Sequence, residues 1–243
     1  KQAPVPAFPI PKSFATASLI SQIITSKYQY GLPLYRQETI FQRSGIDIPR
    51  STLSNWVIRC GNLLKPLVNL IQSDILAYDI AFADETRVQV LHEPGRDADK
   101  QSFMWLFAGG EPEKFGYVYR YDASRAHDVP LAFLRDFKGY LHCDGFGGYD
   151  TLSKKLDIEQ AGCWYHVRRK FVEASKVSKK DGLAKQAVQF IRRLSDIERD
   201  IKQANVSADK AKDIRALRAR PIINKFKQWL DSKVNTVPSG FPI

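Results

Sequence analysis

The strongest constraint on this chain is a change of hydrophobic period along it. Up to about residue 72, apolar residues recur at helical steps of three and four; in the middle they fall in short runs; near residue 165 helical spacing returns. In the first stretch, Leu19, Ile20, Ile23, Ile24 and Tyr28 predict a helix over 14–30, closed by Gly31. Pro33 opens a second helix to about Ser44, which Gly45 breaks. Ser51 is the expected N-cap of a third, with Leu53, Trp56, Val57, Cys60 and Leu64 on one face. Four prolines at positions 4, 6, 9 and 11 make residues 1–12 an extended lead-in.

The middle reads as strands, then alternating helices and strands. Strands are expected at Tyr78–Asp84, Arg87–Leu91, Phe103–Ala108, Tyr117–Tyr121, Tyr140–Asp144 and Ile158–Trp164. Helices are expected at 127–137, at Tyr149–Leu156 and from Val167 to Ala174. This order predicts an α/β fold with a mixed sheet flanked by helices, the order of the ribonuclease H-like fold. In the tail, Leu183, Ala187, Phe190, Leu194, Ile197 and Ile201 step by three and four, with Lys185, Arg192, Arg193, Arg199 and Lys202 on the opposite face. A last helical stretch spans about 208–233, with Leu217, Ile222, Phe226, Trp229 and Leu230, interrupted at Pro221. The expected organisation is therefore a lead-in (1–12), a helical, helix-turn-helix-like segment (13–72), an α/β core (73–175) and a basic helical region (176–243).

Charge follows the same divisions. Residues 1–72 hold 8 Lys and Arg against 2 Asp and Glu, net +6. Residues 73–160 hold 10 against 16, net −6, and residues 161–243 hold 19 against 8, net +11. Basic arms attract polyanions such as nucleic acid, and an acidic centre between them suits carboxylates that hold divalent cations. A solvated surface with uneven charge is the ordinary alternative. Apolar runs such as Phe103–Ala108 fall far short of the roughly 20 residues a membrane-spanning helix needs. The first residues, Lys1-Gln2-Ala3-Pro4, show no signal core and no initiator Met, which suggests a cytoplasmic protein whose true start lies upstream. Three widely spaced cysteines, Cys60, Cys143 and Cys163, give no disulfide framework.

Three groups of residues carry candidate chemistry. Asp84 and Asp144 each end an expected strand, and those two strands are expected to be neighbours. Paired carboxylates at one sheet end suit Mg²⁺ or Mn²⁺, which prefer oxygen ligands and support phosphoryl transfer; turn or helix capping is the plainer role for each. His166, three residues after Cys163, is expected near the carboxylates, where it can orient a group or shuttle a proton. Arg168, Arg169 and Lys170 follow it at a helix start, placed for phosphates. A Cys-x-x-His pair also suggests zinc, but no second such pair occurs. At the third N-terminal helix, Arg50, Thr52, Asn55 and Arg59 are placed to meet phosphates or base edges of double-stranded DNA.

These segments together resemble the transposases of the insertion sequence 66 family, over about Ser13 to Val237. The likeness is carried by Lys27-Tyr28, Leu32–Glu38, Arg50–Leu53 with Trp56, Ala83-Asp84-Glu85-Thr86, Asp144–Tyr149 and Cys163–Phe171. It implies a DDE-type transposase with a ribonuclease H-like core that cuts DNA at transposon ends and joins the freed 3′-hydroxyls to a target. It implies that Asp84 and Asp144 match the first two catalytic aspartates, that Mg²⁺ or Mn²⁺ is the cofactor, and that the active form is a homo-oligomer. The family's third acid is a glutamate in an Asn-Asn-x-x-Glu-Arg-like motif, which is not found in these 243 residues, and the surroundings of Glu198 do not match it. The expectation is a truncated chain, inactive alone. Two other readings stand beside it: a DNA-binding remnant without catalysis, and a ribonuclease H-like nuclease.

Overall fold

The computed structural model describes residues 8–177 and 182–234. The chain divides into two compact units, residues 1–78 with 107–120, and residues 79–106 with 121–243.

In the first unit, α1 (Ala17–Tyr28) begins at Thr16, whose side chain accepts the Leu19 N–H. Helix α2 (Leu34–Arg43) follows Pro33, and a turn with Gly45 at φ 76° leads to α3 (Arg50–Leu76). The N-cap of α3 is Pro49, not Ser51. Ser51 lies inside the first turn, and the Glu38 carboxylate accepts the Arg50 N–H at 2.7 Å in place of a side-chain cap. Ile20, Ile23, Leu53, Trp56 and Cys60 form the core of this unit, joined by Ile10 from the lead-in. Farther along α3 the apolar stripe is uncovered, and Leu63, Leu67 and Leu70 are exposed.

Five strands form one mixed sheet among the described residues, in the order β3-β2-β1-β4-β5. They are β1 (Ile80–Gln89), β2 (Gln101–Gly109), β3 (Gly116–Asp122), β4 (Gly139–Cys143) and β5 (Ile158–Gly162). Between them lie the short helices α4 (Asp128–Phe133) and α5 (Gly147–Lys155), and α6 (Trp164–Val177) follows β5. This is the mixed α/β architecture the sequence predicts, and it is compatible with a ribonuclease H-like fold. The two strands expected at Tyr78–Asp84 and Arg87–Leu91 are one continuous strand. The polar run Glu85-Thr86-Arg87 reads as a break, yet Glu85 finds partners inside the unit, so the strand continues.

Strand β4 is parallel to both neighbours, with Ile80 level with Tyr140, Phe82 with His142, and Tyr140 with Glu159. Its entry is tight. Gly139 adopts φ 132°, and a Cβ there would lie 2.4 Å from the Asp79 carbonyl oxygen. That carbonyl also accepts the Tyr140 N–H at 2.8 Å, which starts the β1–β4 pairing.

The tail is α7 (Leu183–Ala204), α8 (Ala208–Ile214) and α9 (Arg220–Val234). Ala187, Leu194, Ile197 and Ile201 are buried as their spacing predicts, and Ile191 is buried with them. Pro221 does not break the last helix into separate pieces. A π-helical segment, Arg215–Ala219, precedes it, and the Arg220 N–H reaches back five residues to the Arg215 carbonyl. The wider turn accommodates the proline ring. Leu217, expected on the apolar face, is 78% exposed because it lies within that widened segment. No helix among the described residues is long and apolar enough to cross a membrane.

Substitution Gly139→Ala combines a strained left-handed backbone with a clash against Asp79, and is expected to destabilise the protein by at least about 2 kcal/mol. A denaturant melt of the variant, compared with wild type, measures this directly.

Candidate active site

Alternation along β1 sends consecutive side chains to opposite faces. Ala81 and Ala83 are buried on one face; Ile80 and Phe82 are exposed on the other, and Asp84 follows them. Asp84 is the fifth residue of a ten-residue strand, not its last as the sequence suggests. It stands just beyond the place where the parallel pairing with β4 stops. Extending that register by two residues brings Asp84 level with Asp144, the residue after β4. Neighbouring strands run about 4.8 Å apart, so the two backbones are close at one end of the sheet.

His166 comes from the first turn of α6, and its Nε2 is 3.7 Å from Asp84 Oδ2. Its Nδ1 is buried with no hydrogen-bond partner. The Cys163 N–H donates to the Cys143 carbonyl at 2.9 Å, which ties the β5–α6 junction to the end of β4. A cavity of about 200 Å³ is lined by Phe82, Asp84, Leu106, His142, Cys163 and His166, among others. His142 lies across from Phe82, ring centroids 5.1 Å apart. Burial lowers the His142 pKa, and the neighbouring His166 lowers it further, so His142 is held toward its neutral form.

Asp144 Oδ1 accepts the N–H of Phe146 at 2.9 Å, which folds the loop before α5 back on its aspartate. On the opposite face of β1, the side chain of Glu85 is almost wholly buried. It pairs with Arg125 and accepts the Tyr149 hydroxyl at 2.8 Å. Burial raises the Glu85 pKa, while the bonds from Arg125 and Tyr149 pull it back down. Burial, then the Glu85 charge, raises the Tyr149 phenol. The sequence reading missed Glu85, Arg125 and Tyr149 as a set. Glu85 and Tyr149 stand inside the segments that carry the family likeness; Arg125 carried no signal.

Arg168, Arg169 and Lys170 are exposed on α6, on the helix that carries His166. In the other unit, Arg50, Thr52, Asn55 and Arg59 all lie on α3. Asn55 and Arg59 are exposed and Thr52 is half-buried. Those three are spaced by three and four and share a face, while Arg50 stands at the first helical position. The Arg59 guanidinium donates to the Pro11 carbonyl at 3.3 Å. Glu198 is engaged by both Nε and Nη2 of Arg215 at 2.8 Å, which lowers its pKa and occupies both its oxygens.

Asp84 and Asp144 offer oxygen donors, the type a hard divalent ion takes up alongside substrate phosphates. Among the described residues no group of three or more His, Cys, Asp and Glu side chains is arranged to hold a metal.

An α/β architecture with this sheet order is shared by many kinds of protein, and sequence comparison narrows it. The family model described as "Transposase IS66 family" matches residues 12–241, and the chain belongs to that family. It is similar to three proteins of Sinorhizobium fredii. "Uncharacterized protein y4jD" is 34% identical over 242 residues, covering 94% of this chain and 46% of that protein. "Uncharacterized protein y4qI" is 34% identical over 184 residues, covering 71% and 34%. "Uncharacterized protein y4hP" is 26% identical over 251 residues, covering 94% and 44%. The chain thus spans less than half the length of these relatives.

Burial pushes the Cys143 thiol up to about 11, and it also raises that of Cys60, whereas Cys163 is partly exposed. In the folded protein at pH 8, iodoacetamide is expected to alkylate Cys163 first and to leave Cys143 and Cys60 largely unmodified until denaturant is added. Peptide mass spectrometry against time checks the order.

Proposed function

We propose that this chain is the central part of a DDE-type transposase, in which Asp84 and Asp144 together hold Mg²⁺ or Mn²⁺ beside a DNA strand end. The observation that supports this best is the register of β1 and β4, which runs toward Asp84 and Asp144 at the same level of the sheet. When bound, the ion supplies charge stabilisation at the reacting phosphate and lowers the pKa of an attacking hydroxyl. The protein's part is to hold both carboxylates close, and to present the strand end to them. His166, against Asp84, orients that carboxylate and can take or give a proton at Nε2.

Arg168, Arg169 and Lys170 then follow the DNA backbone away from the site, as exposed cations one turn from His166. Residues 73–175 form the ribonuclease H-like core in this reading. Residues 13–72 are a helix-turn-helix-like element in which Arg50, Thr52, Asn55 and Arg59 read transposon-end DNA, and the basic helices of 176–243 are an insertion that grips it. Within the 243 residues two acids match and a third does not, so the isolated chain binds metal and DNA without joining strands. The active form is an oligomer acting on paired ends in the cytoplasm.

Titration of Mn²⁺ into the chain with a short duplex, followed by calorimetry or Mn²⁺ electron paramagnetic resonance, tests the carboxylates. Wild type is expected to bind, and Asp84→Asn or Asp144→Asn to weaken binding at least about tenfold, since each removes one of few anionic ligands. Unchanged affinity in both variants overturns the metal role. Separately, Arg168→Ala with Arg169→Ala is expected to weaken duplex binding for every sequence. It should also flatten the plot of log affinity against log salt by about 2, one unit for each phosphate that a guanidinium no longer neutralises. An unaltered slope removes these arginines from the interface.

A further inference from the structure

Asp84 and Glu85 are consecutive on β1 and therefore face opposite sides of the sheet. The Asp84 side chain is half-exposed, whereas the Glu85 side chain is 2% exposed. A carboxylate is buried this deeply only when its oxygens are satisfied. Arg125 Nε donates to Glu85 Oε1 at 2.7 Å, Arg125 Nη2 donates to the same oxygen, and the Tyr149 hydroxyl donates to Oε2. The partners are in turn fastened to the loop that carries Asp144. The Arg125 guanidinium lies 4.0 Å from the centre of the Phe146 ring. The Phe146 ring meets the Tyr149 ring edge-on, and the Tyr149 N–H donates to the Phe146 carbonyl. The Phe146 N–H bonds the Asp144 carboxylate itself. Gly148 completes the fit: a Cβ there would fall 2.3 Å from Phe146 Cε1, so the ring occupies the space a side chain would need.

We propose that Glu85, Arg125 and Tyr149 are positioning residues: they clamp the Asp144 loop to β1 from the sheet's far side and so set the spacing between Asp84 and Asp144. The inference rests on the metal reading above. The linkage is short. Glu85 is one peptide unit from Asp84, and Phe146 is two residues from Asp144, so a rigid bridge between Glu85 and Phe146 fixes one aspartate relative to the other. Loosening the bridge leaves both carboxylates present but free to vary in separation.

That distinction is measurable, because Mg²⁺ demands near-ideal octahedral geometry while Ca²⁺ tolerates irregular ligand sets. Mg²⁺ and Ca²⁺ affinities are measured on the 243-residue chain by competition against Mn²⁺, for wild type and for Glu85→Gln, Arg125→Lys and Tyr149→Phe. In the clamp variants Mg²⁺ affinity is expected to fall about tenfold and Ca²⁺ affinity less than threefold, with the far-UV spectrum of wild type. A role confined to stability lowers both ions alike or neither, and an unchanged Mg²⁺-to-Ca²⁺ ratio overturns the clamp. Should Glu85→Gln fail to fold, Arg125→Lys and Tyr149→Phe carry the test, since each keeps most of the side chain. Wild type that binds neither ion overturns the metal reading itself and the clamp with it; wild type that binds, with an unaltered ratio in the variants, overturns the clamp alone.

Discussion

The parallel pairing of β1 with β4 is the interaction on which the rest of this structure depends. It begins at the Asp79 carbonyl, which accepts the Tyr140 N–H only because Gly139 lets two backbones approach without a Cβ between them. From there the register runs to Phe82 and His142. Residues far apart in sequence, such as Phe82 and His142, are brought level by this ladder, and its register runs on toward Asp84 and Asp144. The tie between Cys163 and Cys143 extends the same arrangement to β5, and so brings α6 with His166 to the same end of the sheet.

Two layers meet at β1, and they use consecutive residues for opposite purposes. One face is lined by Phe82, His142 and His166 around a small cavity, and Asp84 keeps contact with water there. On the other face the Glu85 carboxylate is buried. Trp105 and Tyr149 meet edge to face on it, and Glu85 is satisfied by a guanidinium and a phenol. Low dielectric makes such a polar network strong when complete and unfavourable when any member is removed. The buried carboxylate is thus stable only as part of the whole set, which explains why a residue so polar can sit in the core.

Much of this was legible in the sequence. The number and order of core strands and helices followed from period alone, apart from one strand that a polar run divided in two. The amphipathic face of α7 matched its three-and-four spacing, since a helix that must bury one side writes that side into its sequence. What was not legible depended on partners distant in the chain. Asp84 read as a strand end because Glu85, Thr86 and Arg87 are polar, and nothing local shows that Arg125 and Tyr149 wait for Glu85. Ser51 read as a cap because Glu38, twelve residues before Arg50, cannot be seen from the cap itself. Pro221 read as a break because the π turn that absorbs it leaves no compositional mark. Asp84, Asp144 and His166 drew notice for their residue types and spacing, and the Cys163-to-Phe171 segment gained weight from its likeness to one transposase family, to which the chain belongs.

The alternation of β1 places an unusual demand on chain length. Removing or inserting one residue before Asp84 would exchange the two layers, so that the solvated acid would be entombed and the entombed one set adrift in water. Neither layer could repair the exchange by repacking, because the phenol and the guanidinium would be left facing the shorter Asp84 or the uncharged Thr86. The number of residues along β1 before Asp84 is therefore held by both layers at once.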